Sequence, residues 1–225
     1  MAIVDNVVSV QKNIPSNVTL IAVSKTKSIE EMKEVYSTGI RDFGENKVQE
    51  LTFKIGEFYD DVRWHFIGHL QRNKVKYIVG KVSLIHTLDS LRLLEEIEKQ
   101  YKASGLTAEV LIEINIGREE SKSGIYIEQI DEIIEACEKC SNVKVKGLMA
   151  IIPKGNEAEC REYFSRMKQL WDKLGQRNYE NIEMKYLSMG MTGDYEIAIS
   201  EGSNMVRVGE GIFGKRIYLN KQKEE

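Results

Sequence analysis

Lys25 is a candidate for covalent chemistry in this 225-residue chain, because it comes just after the apolar run 20–23, where a buried strand would end. Many lysines at strand ends do no more than place their ammonium group in water. A lysine in a partly desolvated pocket loses its proton more readily, and its free amine forms a Schiff base with an aldehyde. Lys27 would point to the same side of a continued strand, so the residues alone leave both lysines open.

Two glycine-containing stretches near the C-terminus have the composition of an anion site. SMGMTGD supplies the hydroxyl groups of Ser188 and Thr192, and VGEGIFG contains Gly209 and Gly211. Unpaired backbone N–H groups and a helix N-terminus both favour a bound phosphate. Turns require glycine for other reasons, so neither stretch is specific by itself. Their positions after two successive candidate strands favour a phosphate site.

A phosphate site together with a strand-end lysine predicts pyridoxal 5′-phosphate as the ligand, since this cofactor carries both a phosphate and an aldehyde. Arg207, in the run MVRVG, is a candidate partner for the pyridine nitrogen. A guanidinium stays charged and only donates hydrogen bonds, so it would keep that nitrogen unprotonated. An unprotonated ring is a poorer electron sink than a pyridinium.

These residues need a scaffold, and the chain alternates between β-rich runs and segments with helical periodicity. The candidate strands are LIAVS, DFGE, WHFIG, SLIHTL, EVLIEIN, KVKGLMAI, KYLSM and MVRVG. Strands separated by helices predict a parallel α/β sheet, either a closed barrel or an open doubly wound sheet. The first strand is not followed by GxGxxG, and eight units favour a single-domain (β/α)8 TIM barrel over residues 1–225.

The barrel prediction indicates where functional groups belong, because barrels place them at the C-terminal ends of the strands. Glu45 and Asn46 lie at such an end, and phosphate sites recur after strands seven and eight. The segment 1–13 is expected to supply a helix that helps close the ring, and the last helix to be short. Residues 220–225, NKQKEE, are expected to form a polar frayed tail.

Stretches in order along almost the whole chain resemble the pyridoxal phosphate homeostasis protein family. They are AVSKTK, FGENKVQE, WHFIGHLQRNK, IHTLDS, LIEINIGREESKSG, GLMAI and LSMGMTGDYEIAISEGSNMVRVGEGIFG. The last block is long and specific. The resemblance implies a barrel like the N-terminal domain of alanine racemase (pyridoxal phosphate fold type III), in which Lys25 of VSK binds the cofactor. By the same resemblance, Lys27 is expected to be a solvated loop charge.

The resemblance also implies the other cofactor contacts. The remaining family positions are Asn46 near the ring substituents, Ser188, Thr192, Gly209 and Gly211 at the phosphate, and Arg207 at the ring nitrogen. His69 stands where other members often carry proline, and no function is assigned to it.

The other reactive side chains support weaker hypotheses. His65 and His69 have HxxxH spacing, but they belong to a candidate strand and the loop after it rather than to one helix, so no metal site is expected. His86 is a candidate to line the cofactor pocket. Ser188, His86 and Asp194 have the residue types of a catalytic triad, but the chain has no GxSxG nucleophile elbow.

The cysteines and the overall charge exclude some classes of function. Cys137 and Cys140 form a CxxC in a helical pattern with no second CxxC, so ordinary thiols are expected rather than a metal or redox site. A formal net charge of −3 argues against nucleic acid or an anionic membrane as partner. The chain has no apolar run of about 20 residues and no signal-peptide pattern, so a cytoplasmic location is expected.

The predicted function is vitamin B6 homeostasis, in which the protein holds pyridoxal 5′-phosphate on Lys25 without substantial turnover. We expect a monomer that passes the cofactor to apo-enzymes. The alternative is an amino-acid racemase or related enzyme, which needs an acid or base on each face of the bound α-carbon. In alanine racemase a second domain supplies one of these groups, and the chain is expected to lack room for it. A regulatory module that acts through a protein partner is a third class that stays open.

Overall fold

Eight short runs rich in β-branched and aliphatic residues form the strands of a closed parallel barrel. The strands are β1 Thr19–Val23, β2 Asp42–Glu45, β3 Arg63–Phe66, β4 Leu84–Leu88, β5 Ala108–Ile114, β6 Val143–Ala150, β7 Ile182–Ser188 and β8 Met205–Val208. Each strand pairs in parallel with the next, and β8 pairs with β1 to close the ring. The computed structural model describes residues 2–215, so the expected tail at 220–225 lies outside the described residues. The predicted (β/α)8 barrel is confirmed.

The α-helices surround the barrel and bury one face each. They are α1 Ile3–Lys12, α2 Ile29–Ser37, α3 Val48–Glu57, α4 Leu91–Ala103, α5 Ile130–Glu138, α6 Glu157–Gly175, α7 Tyr195–Ser200 and α8 Glu210–Phe213. Ser28, Ser90 and Asn156 cap α2, α4 and α6 by accepting a backbone N–H, which explains where these helices begin. Between β3 and β4 the connection is a 3₁₀ helix, Arg72–Tyr77. Within residues 2–215, none of the helices is long and apolar enough to cross a bilayer.

The N-terminal helix helps to close the ring, as the segment 1–13 predicted. Asn6 of α1 donates its Nδ2 hydrogen to the carbonyl oxygen of Ile212 at 3.0 Å. Asn13, at the end of α1, donates to Oε1 of Glu196 at 2.8 Å. Because α8 has only four residues, α1 supplements the short last helix.

Strand alternation divides the apolar residues into two layers. The larger layer lies between the strands and the helices and includes Phe43, Phe66 and Phe164. The smaller layer fills the barrel interior and consists of Ile21, Leu84, Leu111, Met149 and Met205. His86, Glu113 and Arg207 each lie two residues after a member of this inner layer and share its face. The barrel interior therefore changes from apolar to polar toward the C-terminal ends of the strands.

Candidate functional site

Lys25 lies in the loop that follows β1 and is half-buried. Because β1 ends at Val23, Lys25 lies just beyond the C-terminal end of this strand. The next residue, Thr26, has a φ of 66°, a left-handed conformation that is uncommon for a β-branched side chain. Such backbone strain persists only where the surrounding contacts hold it in place.

A buried ion pair holds this loop from outside the barrel. Nζ of Lys54, on α3, lies 2.7 Å from Oε1 of Glu45 and 2.7 Å from the carbonyl oxygen of Ser24. The Ser24 hydroxyl donates to the same Glu45 oxygen at 2.6 Å. The backbone N–H of Thr26 donates to Oε1 of Glu50, which also accepts from Lys54. Both residues that flank Lys25 are therefore fixed by one charged cluster, which we name the loop clamp.

Lys27 is not the solvated loop charge that we expected. Its Nζ lies 3.0 Å from Oε1 of Glu31 and 3.3 Å from the carbonyl oxygen of Phe213, and its side chain is only 14% exposed. The expectation was wrong because Phe213 is far away in sequence and reaches Lys27 only when the ring closes. Lys27 ties the loop to α2 and α8.

Inside the barrel, buried polar side chains from five strands form a continuous line of hydrogen bonds, which we name the interior row. Its members, in spatial order, are Asp42, His65, His86, Ser188 and Arg207. Oδ1 of Asp42 lies 3.0 Å from Nε2 of His65, and Nδ1 of His65 lies 3.0 Å from Nε2 of His86. Nδ1 of His86 lies 3.1 Å from the hydroxyl of Ser188, which accepts from NH1 of Arg207 at 2.6 Å.

Arg207 is anchored at two further points. Its NH2 group donates to the carbonyl oxygen of Ala150 at 3.0 Å, and its backbone N–H donates to that of Gly190 at 3.0 Å. Burial lowers the pKa of Arg207 to about 10, and the carboxyl groups of Glu113 and Asp194 oppose this effect. The guanidinium is therefore still charged at neutral pH.

Glu113 is a buried carboxyl in the barrel interior that our sequence reasoning missed. Burial and then the charge of Asp89 raise the pKa of Glu113 to about 7, although Arg207 acts in the opposite direction. Its Oε2 has no hydrogen-bond partner within the described part of the chain. A buried titratable group of this kind is typical of a functional site. Its position two residues after an inward-facing leucine in EVLIEIN was the signal that could have found it.

The loop after β7 and the beginning of α8 meet at the rim of the barrel. The backbone N–H of Gly211 donates to Oγ1 of Thr192 at 3.1 Å, and Gly209 immediately precedes α8. A Cβ on Gly211 would lie 3.0 Å from Cγ1 of Val208, so the close approach disfavours a larger residue. Gly190 has a φ of 96°, which its turn requires and which favours glycine.

The structure separates the predicted phosphate residues into two places. Thr192 and Gly211 lie together at the rim, whereas the hydroxyl of Ser188 points into the interior row toward Arg207 and His86. Ser188 and Thr192 therefore do not share a contact, although one motif carries both.

The Ser188–His86–Asp194 triad is contradicted by its third member. His86 does contact Ser188, but its other ring nitrogen faces His65. Asp194 instead accepts the backbone N–H of Met191 at 2.6 Å. Burial, and secondarily the nearby His65 and Arg207, lower the pKa of His86 well below its usual value, so its imidazole is neutral at pH 7.

The residues present fit pyridoxal 5′-phosphate. Asn46 has a buried Oδ1 without a hydrogen-bond partner among residues 2–215, and such an orphaned acceptor is expected to meet a bound group. Lys25 offers an amine and Arg207 a guanidinium for a ring nitrogen. Thr192, whose oxygen accepts from the N–H of Gly211, offers its hydroxyl hydrogen to a phosphate.

The cysteine pair has no features of a reactive site. Burial raises the pKa of the Cys140 thiol to about 11 and raises that of Cys137 further. Thiols with raised pKa values are poor nucleophiles and poor metal ligands. The described residues contain no group of three or more His, Cys, Asp or Glu side chains that could hold a metal ion.

The barrel and its interior site define a protein of the alanine racemase N-terminal domain class. A family model described as "Alanine racemase, N-terminal domain" matches residues 1–216. The chain belongs to the pyridoxal phosphate homeostasis protein family within that class. The family member of Aquifex aeolicus is 46% identical over 88% of this chain and 87% of its own length. The Escherichia coli member is 40% identical over 92% of this chain and 89% of its own length.

Solved structures agree with this assignment. PipY of Synechococcus elongatus, solved with pyridoxal phosphate bound, has a TM-score of 0.86 at 30% identity and covers 94% of this chain and 100% of its own. Alanine racemase of Clostridium difficile has a TM-score of 0.77 at 17% identity, with 96% of this chain matched to 56% of that chain. At that identity the racemase shares the fold alone.

Proposed function

We propose that this protein binds pyridoxal 5′-phosphate reversibly and serves cofactor homeostasis, with Lys25 as the point of covalent attachment. The observation that carries the proposal is the convergence of Lys25, Arg207 and the Thr192–Gly211 contact at one end of the barrel. Strand β1 leads to Lys25 and pairs with β8, where Ile21 is the partner of Arg207. PipY, which shares this fold, has been solved with pyridoxal phosphate bound. When bound, the cofactor supplies an aldehyde that condenses with an amine.

Each residue has a distinct role in this proposal. The Thr192 hydroxyl, whose oxygen accepts from the N–H of Gly211, donates its hydrogen to the phosphate beside the Gly209–Gly211 turn, since charge-assisted hydrogen bonds favour a dianion there. Arg207 donates to the ring nitrogen and keeps it unprotonated. Asn46 meets a polar substituent of the ring. Ser188 lies deeper in the barrel and contacts Arg207, and His86 contacts Ser188.

The test is a binding titration of purified apo-protein with pyridoxal 5′-phosphate and with pyridoxal. The phosphorylated compound should produce a visible absorption band that borohydride removes. Pyridoxal should bind at least about tenfold more weakly, because it loses charge-assisted hydrogen bonds worth about 1.5–3 kcal/mol each. Equal affinity for the two compounds would reject the phosphate site, and the lack of a visible band would reject attachment to a lysine.

We infer further that the protein has no substantial turnover with amino acids. The family members from Aquifex aeolicus and Escherichia coli carry the name of homeostasis proteins. Arg207 would leave the bound ring a poor acceptor of electrons, which disfavours chemistry at an amino-acid α-carbon. The alternative is an amino-acid racemase. The solved alanine racemase, at 17% identity, supports only a shared barrel fold.

We propose that the protein acts as a cytoplasmic monomer and gives its cofactor to apo-enzymes. A reversible attachment through one lysine allows release to a tighter acceptor. Light scattering should give the mass of one chain, and mixing holo-protein with an excess of an apo-transaminase should restore the activity of that enzyme. A stable dimer would reject the first part, and transfer no faster than free diffusion of released cofactor would reject the second.

A further inference from the structure

At each end of the interior row, the hydrogen bond can have only one direction. Arg207 has donors but no acceptor, so the hydroxyl oxygen of Ser188 must accept from its NH1 group. At the other end, Asp42 is held by two hydrogen bonds from the guanidinium of Arg63, at 2.8 and 2.5 Å. The carboxylate of Asp42 only accepts, so Nε2 of His65 carries a hydrogen.

The directions at the two ends determine which ring nitrogen carries the hydrogen in each of the two histidines between them. A neutral His65 with its hydrogen on Nε2 has a bare Nδ1, which accepts from Nε2 of His86. His86 then has a bare Nδ1, which accepts the hydroxyl hydrogen of Ser188. Its burial and its lowered pKa agree with a neutral imidazole. The reverse direction needs one additional proton on His65, in a row that already ends on the charged Arg207.

We propose that Asp42, His65 and His86 are positioning residues that form a one-way hydrogen-bond relay and orient Arg207 through Ser188. This role rests on the proposed function, because Arg207 is the group assigned to the ring nitrogen. Two of the five N–H groups of the guanidinium are bonded to Ser188 and to the carbonyl of Ala150. These two bonds set the plane of the guanidinium, and the relay fixes the first of them.

The consequence for Ser188 is that its hydrogen points away from the ligand. Its oxygen accepts from Arg207 while its hydrogen goes to His86, so the hydroxyl helps to orient the guanidinium and does not donate to the phosphate. This arrangement explains why Ser188 is fully buried while Thr192 of the same motif stands at the rim.

The first test needs no ligand. Nitrogen-15 NMR of histidine-labelled apo-protein at pH 7.5 distinguishes the two neutral tautomers from the protonated ring. His65 and His86 should each carry a single hydrogen, on Nε2. A hydrogen on Nδ1 of His86, or a doubly protonated His65, would overturn the relay.

The second test breaks the relay between its ends. His65→Phe removes the acceptor of the Nε2 hydrogen of His86, so His86 should change from one tautomer to a mixture of both. Affinity for pyridoxal 5′-phosphate should fall by about tenfold, the equivalent of one misplaced hydrogen bond. His69→Phe, on the exposed histidine, is the matched control and should change neither quantity.

Asp42→Ala provides the same readouts if the first variant fails to fold. It removes the acceptor that fixes the hydrogen of His65, whereas asparagine would keep an accepting oxygen there. Asp61→Ala, on a surface carboxylate paired with Arg41, is its control. An unchanged tautomer pattern would overturn the relay. A changed pattern with unchanged cofactor affinity would overturn the positioning role. A wild-type protein that does not bind the cofactor would overturn the proposed function, while the tautomer test would keep its meaning.

Discussion

Glu113→Gln should change how the stability of the apo-protein depends on pH. Burial, and secondarily Asp89, raise the pKa of Glu113 from its usual 4.5 to about 7. The unfolded chain therefore ionises this carboxyl at a lower pH than the folded protein does. The folded state binds more protons in this window, so the free energy of unfolding falls as the pH rises from about 4.5 to about 7. Above that pH both states are ionised and the loss is complete.

The size of this change in unfolding free energy follows from the difference between the usual pKa of Glu113, 4.5, and its pKa of about 7 in the folded protein. Each pH unit between them is worth about 1.36 kcal/mol, so the whole difference amounts to about 3 kcal/mol. About 2.5 kcal/mol of this difference develops between about pH 5 and about pH 8. Glutamine has a similar shape and stays neutral at every pH. The unfolding free energy of the variant, minus that of the wild type, should therefore grow by about 2.5 kcal/mol over that range.

Urea unfolding of the apo-protein, followed by circular dichroism at several pH values, measures this difference. A constant offset caused by the substitution itself cancels, because only the trend with pH is compared. Glu109→Gln is the matched control, since Glu109 lies on the same strand with its side chain 47% exposed. A trend with pH that is no larger for Glu113→Gln than for this control would refute the account of this buried carboxyl.

Three further changes test other parts of the site. Lys54→Met should lower the free energy of unfolding by about 3–5 kcal/mol, because it leaves the Glu45 carboxylate buried and unpaired. Lys168→Met, which breaks a surface ion pair, should cost under about 1 kcal/mol, and equal losses in urea unfolding would contradict the loop clamp. Thr192→Val should weaken pyridoxal 5′-phosphate binding by about tenfold and leave pyridoxal binding unchanged; loss of both would remove Thr192 from the phosphate site. Holo-protein with alanine and other amino acids in deuterated water should show only slow α-proton exchange by NMR, and rapid racemisation that disappears in Lys25→Ala would favour the enzyme.

Much of the fold was predictable because its signals are local. Alternating apolar residues and helical periodicity predicted every strand, and the bounds differ by a few residues at most. Strand β7, for example, begins at Ile182, three residues before the predicted KYLSM, because exposed Glu183 and Lys185 interrupt its apolar residues. The helix caps at Ser28 and Asn156 are likewise local signals.

The positions of Lys25, Thr192 and Gly211 beyond strand ends were predictable for a similar reason, since these residues belong to recognisable motifs; their roles in binding stay predictions. The interior row was not predictable, because its contacts join residues that are distant in sequence. His86 and Ser188 are 102 positions apart and meet only when the ring closes. The same limit led to the wrong expectation for Lys27, whose partner carbonyl belongs to the last helix of the barrel.

The most direct test of the central claim is to locate the covalent attachment of the cofactor. Purified protein is saturated with pyridoxal 5′-phosphate, reduced with borohydride and digested, and the modified peptide is identified by mass spectrometry. The account predicts that one lysine is modified and that it is Lys25, with no visible band and no adduct in Lys25→Ala. An adduct on Lys27 or Lys54, or an adduct that persists at the same yield in Lys25→Ala, would contradict it.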